Sequence, residues 1–384
     1  MRKAFKFRLF TNANQERELE IMLESHRRLY NLCLEQRRDL YQQHGHSVKY
    51  SDQSAEFKDL RTDNVYFARL NFSSAQATMR HLDKAYVAFF HRIKIGQAPG
   101  YPRFKARDRF NSLEFPSYGD GIRLNGHRLR VQHVGVIRCK VHREIEGVVK
   151  TATLKLEGDK WFVILSCDLG AVTIQPSAFP AIGIDVGLEN FLTTSDGEVV
   201  DNPRFLKQEL PALRRAQHAV SRKKKGGKNR RKAVKVVRVL HAHVANQRRE
   251  HHFKTALKLV RCYGLIAVER LNIHGMLRSQ WMSRAISDAG WASFIEILTY
   301  KAASAGATVV AVNPRGTSQL CSGCDTKVLK ALSVRQHTCP HCGLSLHRDE
   351  NAARNILARA LLARTGPVGA NRESPVAQEA ACFS

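Results

Sequence analysis

CSGCDTKVLKALSVRQHTCPHCGLSLHRDENAARNILARALL, residues 321–362, is the stretch on which the fold turns. Its first half holds two C-x-x-C pairs, Cys321/Cys324 and Cys339/Cys342, separated by fourteen residues. Each pair offers two thiolates at the bite of one ion, and four such ligands suit tetrahedral Zn²⁺. Gly343 follows the second pair, where a knuckle bends. A structural Cys₄ zinc ribbon over 321–346 is therefore expected. The second half has the apolar spacing of an amphipathic helix, with Asp349 in its first turn.

Working outward, two apolar runs carry acids. AIGIDVG (181–187) holds Asp185, and LIAVERLN (265–272) holds Glu269. A carboxylate inside an apolar strand is costly unless it is paired or binds metal. Singly, Asp185 reads as a turn residue, Glu269 as an ion-pair partner and Asp349 as a helix cap. Together they are three carboxylates from three separated segments, the set a divalent-metal phosphodiesterase needs. Hard oxygen ligands suit Mg²⁺, with Mn²⁺ able to replace it, whereas thiolates do not. Two metals in two separate sites are expected.

Charge points to the partner. The 384 residues hold 62 Lys+Arg against 34 Asp+Glu, a formal net charge of +28. A chain this basic is matched by a polyanion, and nucleic acid is the usual one. From Leu210 to Arg249 there are fourteen Lys/Arg and no acid. Arg222, Lys223, Lys224, Lys225, Lys228, Arg230, Arg231 and Lys232 are candidate phosphate contacts there, on a helical hairpin over 208–262 broken at Gly226-Gly227. A second basic loop, GYPRFK, adds Tyr101, Arg103 and Lys105. The pair His241 and His243 suggests a nicking metal site, but its helical, basic context argues against one. No apolar run reaches membrane-span length and no signal-peptide core opens the chain, so a cytoplasmic, reducing setting is expected, consistent with nine cysteines, an odd count.

Organisation follows from patterning. Residues 1–10 and 94–168 read as a β-barrel, with hairpin signals at Asn125-Gly126 and Gly158-Asp159. Residues 11–93 read as a helical insert whose last helix carries Ala75, Met79, Leu82, Ala85, Tyr86, Phe89 and Phe90 as a core stripe. Residues 169–180 read as a linker. A mixed α/β domain follows at 181–320 and resumes at 347–364 after the ribbon, with a helix at 286–305; 365–384 reads as a disordered tail.

The ordered motifs IDVG, VERLN and TSQLCSGC…CPHC…HRDENAARNI resemble the TnpB (OrfB-type) proteins of bacterial insertion sequences, relatives of the type V CRISPR nucleases. The resemblance spans essentially the whole chain. It implies a multidomain α+β and α/β protein: an N-terminal wedge barrel with a helical recognition insert, then a RuvC-like RNase H fold with an inserted zinc ribbon. It implies an RNA-guided DNA endonuclease, monomeric on a guide RNA from the transposon end, that cuts double-stranded DNA beside a short flanking motif. By position the catalytic acids fall on Asp185, Glu269 and Asp349. Two residues depart from the family pattern: Asp325, where Gly is usual, and His347, where an acid is frequent. A nuclease-silent, RNA-guided DNA binder is the alternative function, and the intact acids disfavour it.

Overall fold

The computed structural model describes residues 1–171, 173–331 and 333–365. The residues divide into two units, Met1–Thr173 with Arg215–Ala242, and Ile174–Arg214 with the residues from His243 onward.

In the first unit, β1 (Arg2–Phe10) leads into four helices, α1 (Ala13–His44), α2 (Tyr50–Asp63), α3 (Val65–Ala68) and α4 (Phe72–Lys94). Six strands follow: β2 (Ser112–Phe115), β3 (Ile122–Asn125), β4 (Arg128–Val131), β5 (Gly135–Lys140), β6 (Val148–Glu157) and β7 (Lys160–Asp168). Asn12 and Gln15 close a reciprocal capping box on α1, and Leu19, Met22, Leu23, His26, Tyr30 and Cys33 are buried at helical spacing. Both hairpin signals act where expected. Two residues join Asn125 to its partner Arg128, and two join Glu157 to Lys160.

The sheet order is β2-β6-β7-β1-β5-β4-β3. Among the described residues no pairing joins β2 to β3, so this is an open sheet rather than the closed barrel expected. It is nonetheless strongly curled. A flat seven-stranded sheet separates its edges by roughly 29 Å, yet Phe115 and Ile122, on opposite edges, are joined by 116–121 alone, which reaches about 25 Å fully extended. The enclosed face is filled by Phe5, Phe7, Phe115, Leu129, Trp161 and Leu165, all at most 1% exposed.

The stripe on α4 is core only in its first half. Ala75, Met79 and Leu82 are buried, but Phe90 is 59% exposed. Tyr86 and Phe89 pack instead on Tyr101 from the following loop. Helical period marks a face; it does not tell how far along the helix that face stays covered.

The second unit contains β8 (Ala181–Val186), β9 (Asn190–Thr194), β10 (Val199–Asp201), β11 (Leu265–Glu269) and β12 (Thr308–Val312), ordered β10-β9-β8-β11-β12. The first three strands form an antiparallel meander, while β8, β11 and β12 run parallel. Between β10 and β11 lie α5 (Phe205–Ser221) and α6 (Lys228–Cys262), separated by the Gly226-Gly227 turn as expected. Their segment Arg215–Ala242 clusters with the first unit, so the hairpin does not belong wholly to the mixed domain. After β11 come α7 (Ile273–Met276), α8 (Ser283–Ala289) and α9 (Trp291–Ser304). The single helix expected over 286–305 is thus two, divided at Gly290, whose φ of +64° ends α8. Ile182, Ile184, Ile266 and Val268 pack on α6 and α9. Leu265, Ala267 and Val312 pack on Ile356 and Ala360 of the closing helix α10 (Arg348–Thr365).

The expected linker is only partly free. Ser177 N–H donates to the Gly306 carbonyl, and Gly264 N–H donates to that of Pro180. Its second half is therefore a fixed part of the second unit. Residues 366–384, most of the expected tail, lie outside the described residues.

Candidate active site and metal centre

Asp185 and Glu269 lie at the carboxyl ends of neighbouring parallel strands. The register Leu265↔Ala181, Ile266↔Ile182, Ala267↔Gly183, continued two residues, sets Glu269 opposite Asp185. Alternation along β11 puts Glu269 with Leu265 and Ala267 on the side covered by α10. Asp349 comes from the first turn of α10. What lets that helix approach is Gly183. A Cβ there would lie 2.1 Å from the Ala353 carbonyl oxygen and 2.9 Å from Leu357, so helix backbone rests directly on strand backbone. Ala352, Ala353, Ile356 and Ala360 complete the contact, each fully buried.

Asp185 feels the other two acids. Burial, then the nearby charges of Glu269 and Asp349, push the Asp185 carboxyl well above its usual range, with Arg348 acting the other way. Burial also raises Glu269, opposed by a hydrogen bond from Thr317 and by the charge of Arg359. Asp349 N–H donates to His347 Nδ1 at 3.2 Å. The ring thus accepts as a helix-capping side chain does, which accounts for a histidine at this position. Among the described residues only the four cysteines form a group of three or more ligands within 4.8 Å of one another, so the carboxylate oxygens are more widely spread.

A supporting network was invisible in the sequence. The Thr317 hydroxyl donates to Glu269 Oε1 and lies 2.9 Å from the Pro314 carbonyl. Asn355 Nδ2 donates to the carbonyls of Thr317 and Leu320, each at 2.8 Å. Asn351, fully buried, donates to the Leu320 carbonyl and accepts from Ser322 N–H. Arg359 holds the carbonyls of Asn313 and Arg315. The ENAARN run thus clips α10 to the segment that steadies Glu269 and opens the ribbon. No residue type here signals such a role, because the partners of Asn351 and Asn355 are backbone atoms 29 to 38 residues away.

The cysteine cluster is compact. Cys321 and Cys342 Sγ are 3.6 Å apart, as are Cys324 and Cys339. A disulfide needs about 2.05 Å; thiolates about 2.3 Å from one tetrahedral ion lie roughly 3.8 Å apart. The donor set therefore fits a metal. Hydrogen bonds from the Thr326 hydroxyl and backbone bring the Cys324 thiol down to about 6, toward the ligating thiolate. The knuckles share one bend: Asp325 (φ +58°) and Gly343 (φ +74°) each donate N–H to the carbonyl of the first cysteine of their pair. β13 (Gln336–Thr338) and β14 (Ser345–His347) pair antiparallel on either side of the second knuckle, and β14 runs directly into α10.

Among the candidate nucleic-acid contacts, Arg222, Lys223, Lys224, Lys225, Lys228, Arg231 and Lys232 are exposed. Arg230 is half-buried and donates to the Val220 carbonyl, bracing the hairpin. Arg103 and Lys105 are exposed, but the Lys105 backbone is fastened to Asn31, and the Tyr101 hydroxyl bonds to that of Tyr86. The aromatic part of that loop has a structural task.

Three family models match the chain: a helix-turn-helix domain of OrfB_IS605 type at residues 1–46, the OrfB_IS605 model described as "Probable transposase" at 165–280, and a Cas12f1-like TNB domain at 291–356. The first segment folds here as β1 and one long helix, not as two helices and a turn. A Streptomyces pristinaespiralis protein is 32% identical over 94% of this chain and 90% of its own length, and InsQ of Escherichia coli K12 is 28% identical over 93% and 92%. Both carry the name "Putative RNA-guided DNA endonuclease". Among solved structures, the mini-RNA-guided endonuclease CRISPR-Cas phi3 aligns over 97% of this chain and 94% of its own, at 9% identity and a TM-score of 0.48. No helix among the described residues is long and apolar enough to cross a membrane.

Proposed function

This chain belongs to the TnpB (OrfB-type) family of insertion sequences, and from that membership we propose that it is an RNA-guided DNA endonuclease with a RuvC-like site at Asp185, Glu269 and Asp349. The observation that carries the reading is the convergence of three carboxylates from β8, β11 and α10, close enough that two of them raise the third. Such mutual repulsion is relieved by a cation, and the all-oxygen donor set suits Mg²⁺ or Mn²⁺. Held by Asp185, Glu269 and Asp349, two such ions would supply an activated water and charge neutralisation at the leaving oxygen.

The chain's own contribution is positioning. Thr317 orients the Glu269 carboxylate, His347 and the first turn of α10 hold Asp349, and Gly183 sets the approach between Asp349 and Asp185. The cysteine cluster takes structural Zn²⁺, and the basic hairpin takes phosphate backbone. Target sequence is read by a guide RNA through base pairing, with the N-terminal unit reading a short flanking motif in the duplex. We take the working form to be a monomer on its RNA in the bacterial cytoplasm.

The test is plasmid cleavage by the RNA-loaded chain, run beside a gel shift. Asp185→Ala should abolish cutting while leaving binding within about twofold, since affinity rests on guide pairing and the basic surfaces. Wild-type cutting by this variant would remove Asp185 from the site, and uncut target with the wild type would leave the nuclease-silent binder as the reading.

A further inference from the structure

Trp281 is 94% exposed, whereas Trp161 and Trp291, the other two tryptophans, are 1% and 3% exposed. An indole left in water forgoes most of its burial energy, and it stands on the segment leaving the strand end that carries Glu269. It overhangs a cleft of about 480 Å³ that none of the three carboxylates lines. Leu188, Leu206 and Leu210 line the cleft, with the polar groups of Asn202 and Gln280. Arg204, Lys207 and Arg284 also line it; all three are exposed and without an acidic partner among the described residues.

The one acid lining the cleft, Asp288, is already committed. Its carboxylate accepts from Leu206 and Lys207 N–H at the start of α5 and pairs with Arg248 at 3.1 Å. The cleft therefore presents an aromatic platform, an apolar lining, two amide side chains and three uncompensated cations. Apolar ligands have no use for the cations, and simple anions have none for the platform.

We propose that this cleft binds unpaired nucleic acid, one base stacked on Trp281 and the adjoining phosphates on Arg204, Lys207 and Arg284. Stacking on an aromatic face is open only to bases released from a duplex, so the cleft selects single strands. The proposal rests on the reading that this unit acts on nucleic acid, and it adds a single-strand site beside the carboxylates.

Trp161 and Trp291 also emit but are buried, so the Trp281 signal is the part of the intrinsic fluorescence that Trp281→Phe removes. The full-length chain, stripped of nucleic acid at high salt and kept without added Mg²⁺, is titrated with oligo(dT), oligo(U), a blunt duplex and inorganic phosphate. Quenching by either single strand is expected, and the better quencher identifies the strand as DNA or RNA. Trp281→Ala should weaken single-strand binding roughly 5- to 100-fold by anisotropy of a labelled oligonucleotide. Trp281→Phe, which keeps a platform, should stay within about threefold of wild type. Arg204→Ala with Lys207→Ala and Arg284→Ala should remove the quenching. No quenching at saturation, equal quenching by duplex, or quenching by phosphate alone would each overturn the proposal. None of these readouts depends on cutting, so a failed catalytic assignment leaves the result interpretable.

Discussion

Thr317 has one hydroxyl proton and two acceptors, Glu269 Oε1 and the Pro314 carbonyl. Donating to the carboxylate favours its charged form against the burial that raises it. Thr317→Val removes that donor in a nearly isosteric way, so the Glu269 carboxyl moves further up and the acidic limb of the cleavage pH profile shifts to higher pH. Losing a hydrogen bond to a charged group should also cost about 1.5–3 kcal/mol of stability. Thr317→Ser should restore the profile; an unmoved limb in the valine variant would show that the contact does not tune Glu269. At this scale the sequence is uneven. Asp185 and Glu269 were legible because a charge in an apolar strand demands a reason. Thr317, Asn351 and Asn355 were not, since polar residues before a zinc knuckle or on a helix have many ordinary uses. Asp325 was legible as a departure, and its φ of +58° is the left-handed bend, which Asp tolerates.

Among elements, the pairing of β8 with α10 joins the first acid to the last. Gly183→Ala would drive a methyl into the Ala353 carbonyl oxygen, a backbone atom that cannot swing aside. The helix must then shift by an ångström or more, at a cost of about 1–3 kcal/mol. A displacement of that size should lower cleavage on the order of 100-fold, while guide-dependent DNA binding is retained. A plasmid assay beside a thermal melt checks both, and Ala353→Gly should not rescue, because the clash is with carbonyl oxygen. Strands, hairpins and the helix carrying Asp349 were readable from period and turn chemistry. The curl of the first sheet and the bare end of α4 were not, because each depends on what distant residues cover. Gly290, which divides α8 from α9, is a single glycine in an otherwise helical pattern, and pattern alone tolerates it.

Over the whole molecule, charge is the property composition told most directly, and the structure leaves Lys223, Lys224 and Lys225 of the hairpin exposed for it. Replacing Lys223, Lys224 and Lys225 with Gln should flatten the salt dependence of nucleic-acid binding by about 0.9 log units per lost phosphate contact. The affinity loss should be similar for every target sequence. Filter binding at several salt concentrations measures the slope, and a change in preferred sequence would mean the hairpin reads bases. The placement of α10 has a further consequence, for synthesis. A nascent chain that has not yet emerged past residue 348 already holds the strands with Asp185 and Glu269, but neither the third acid nor the helix that covers Gly183. If these carboxylates form the proposed cutting site, translation completes it only after the basic hairpin and the N-terminal sheet, when a guide RNA has already had surfaces to bind.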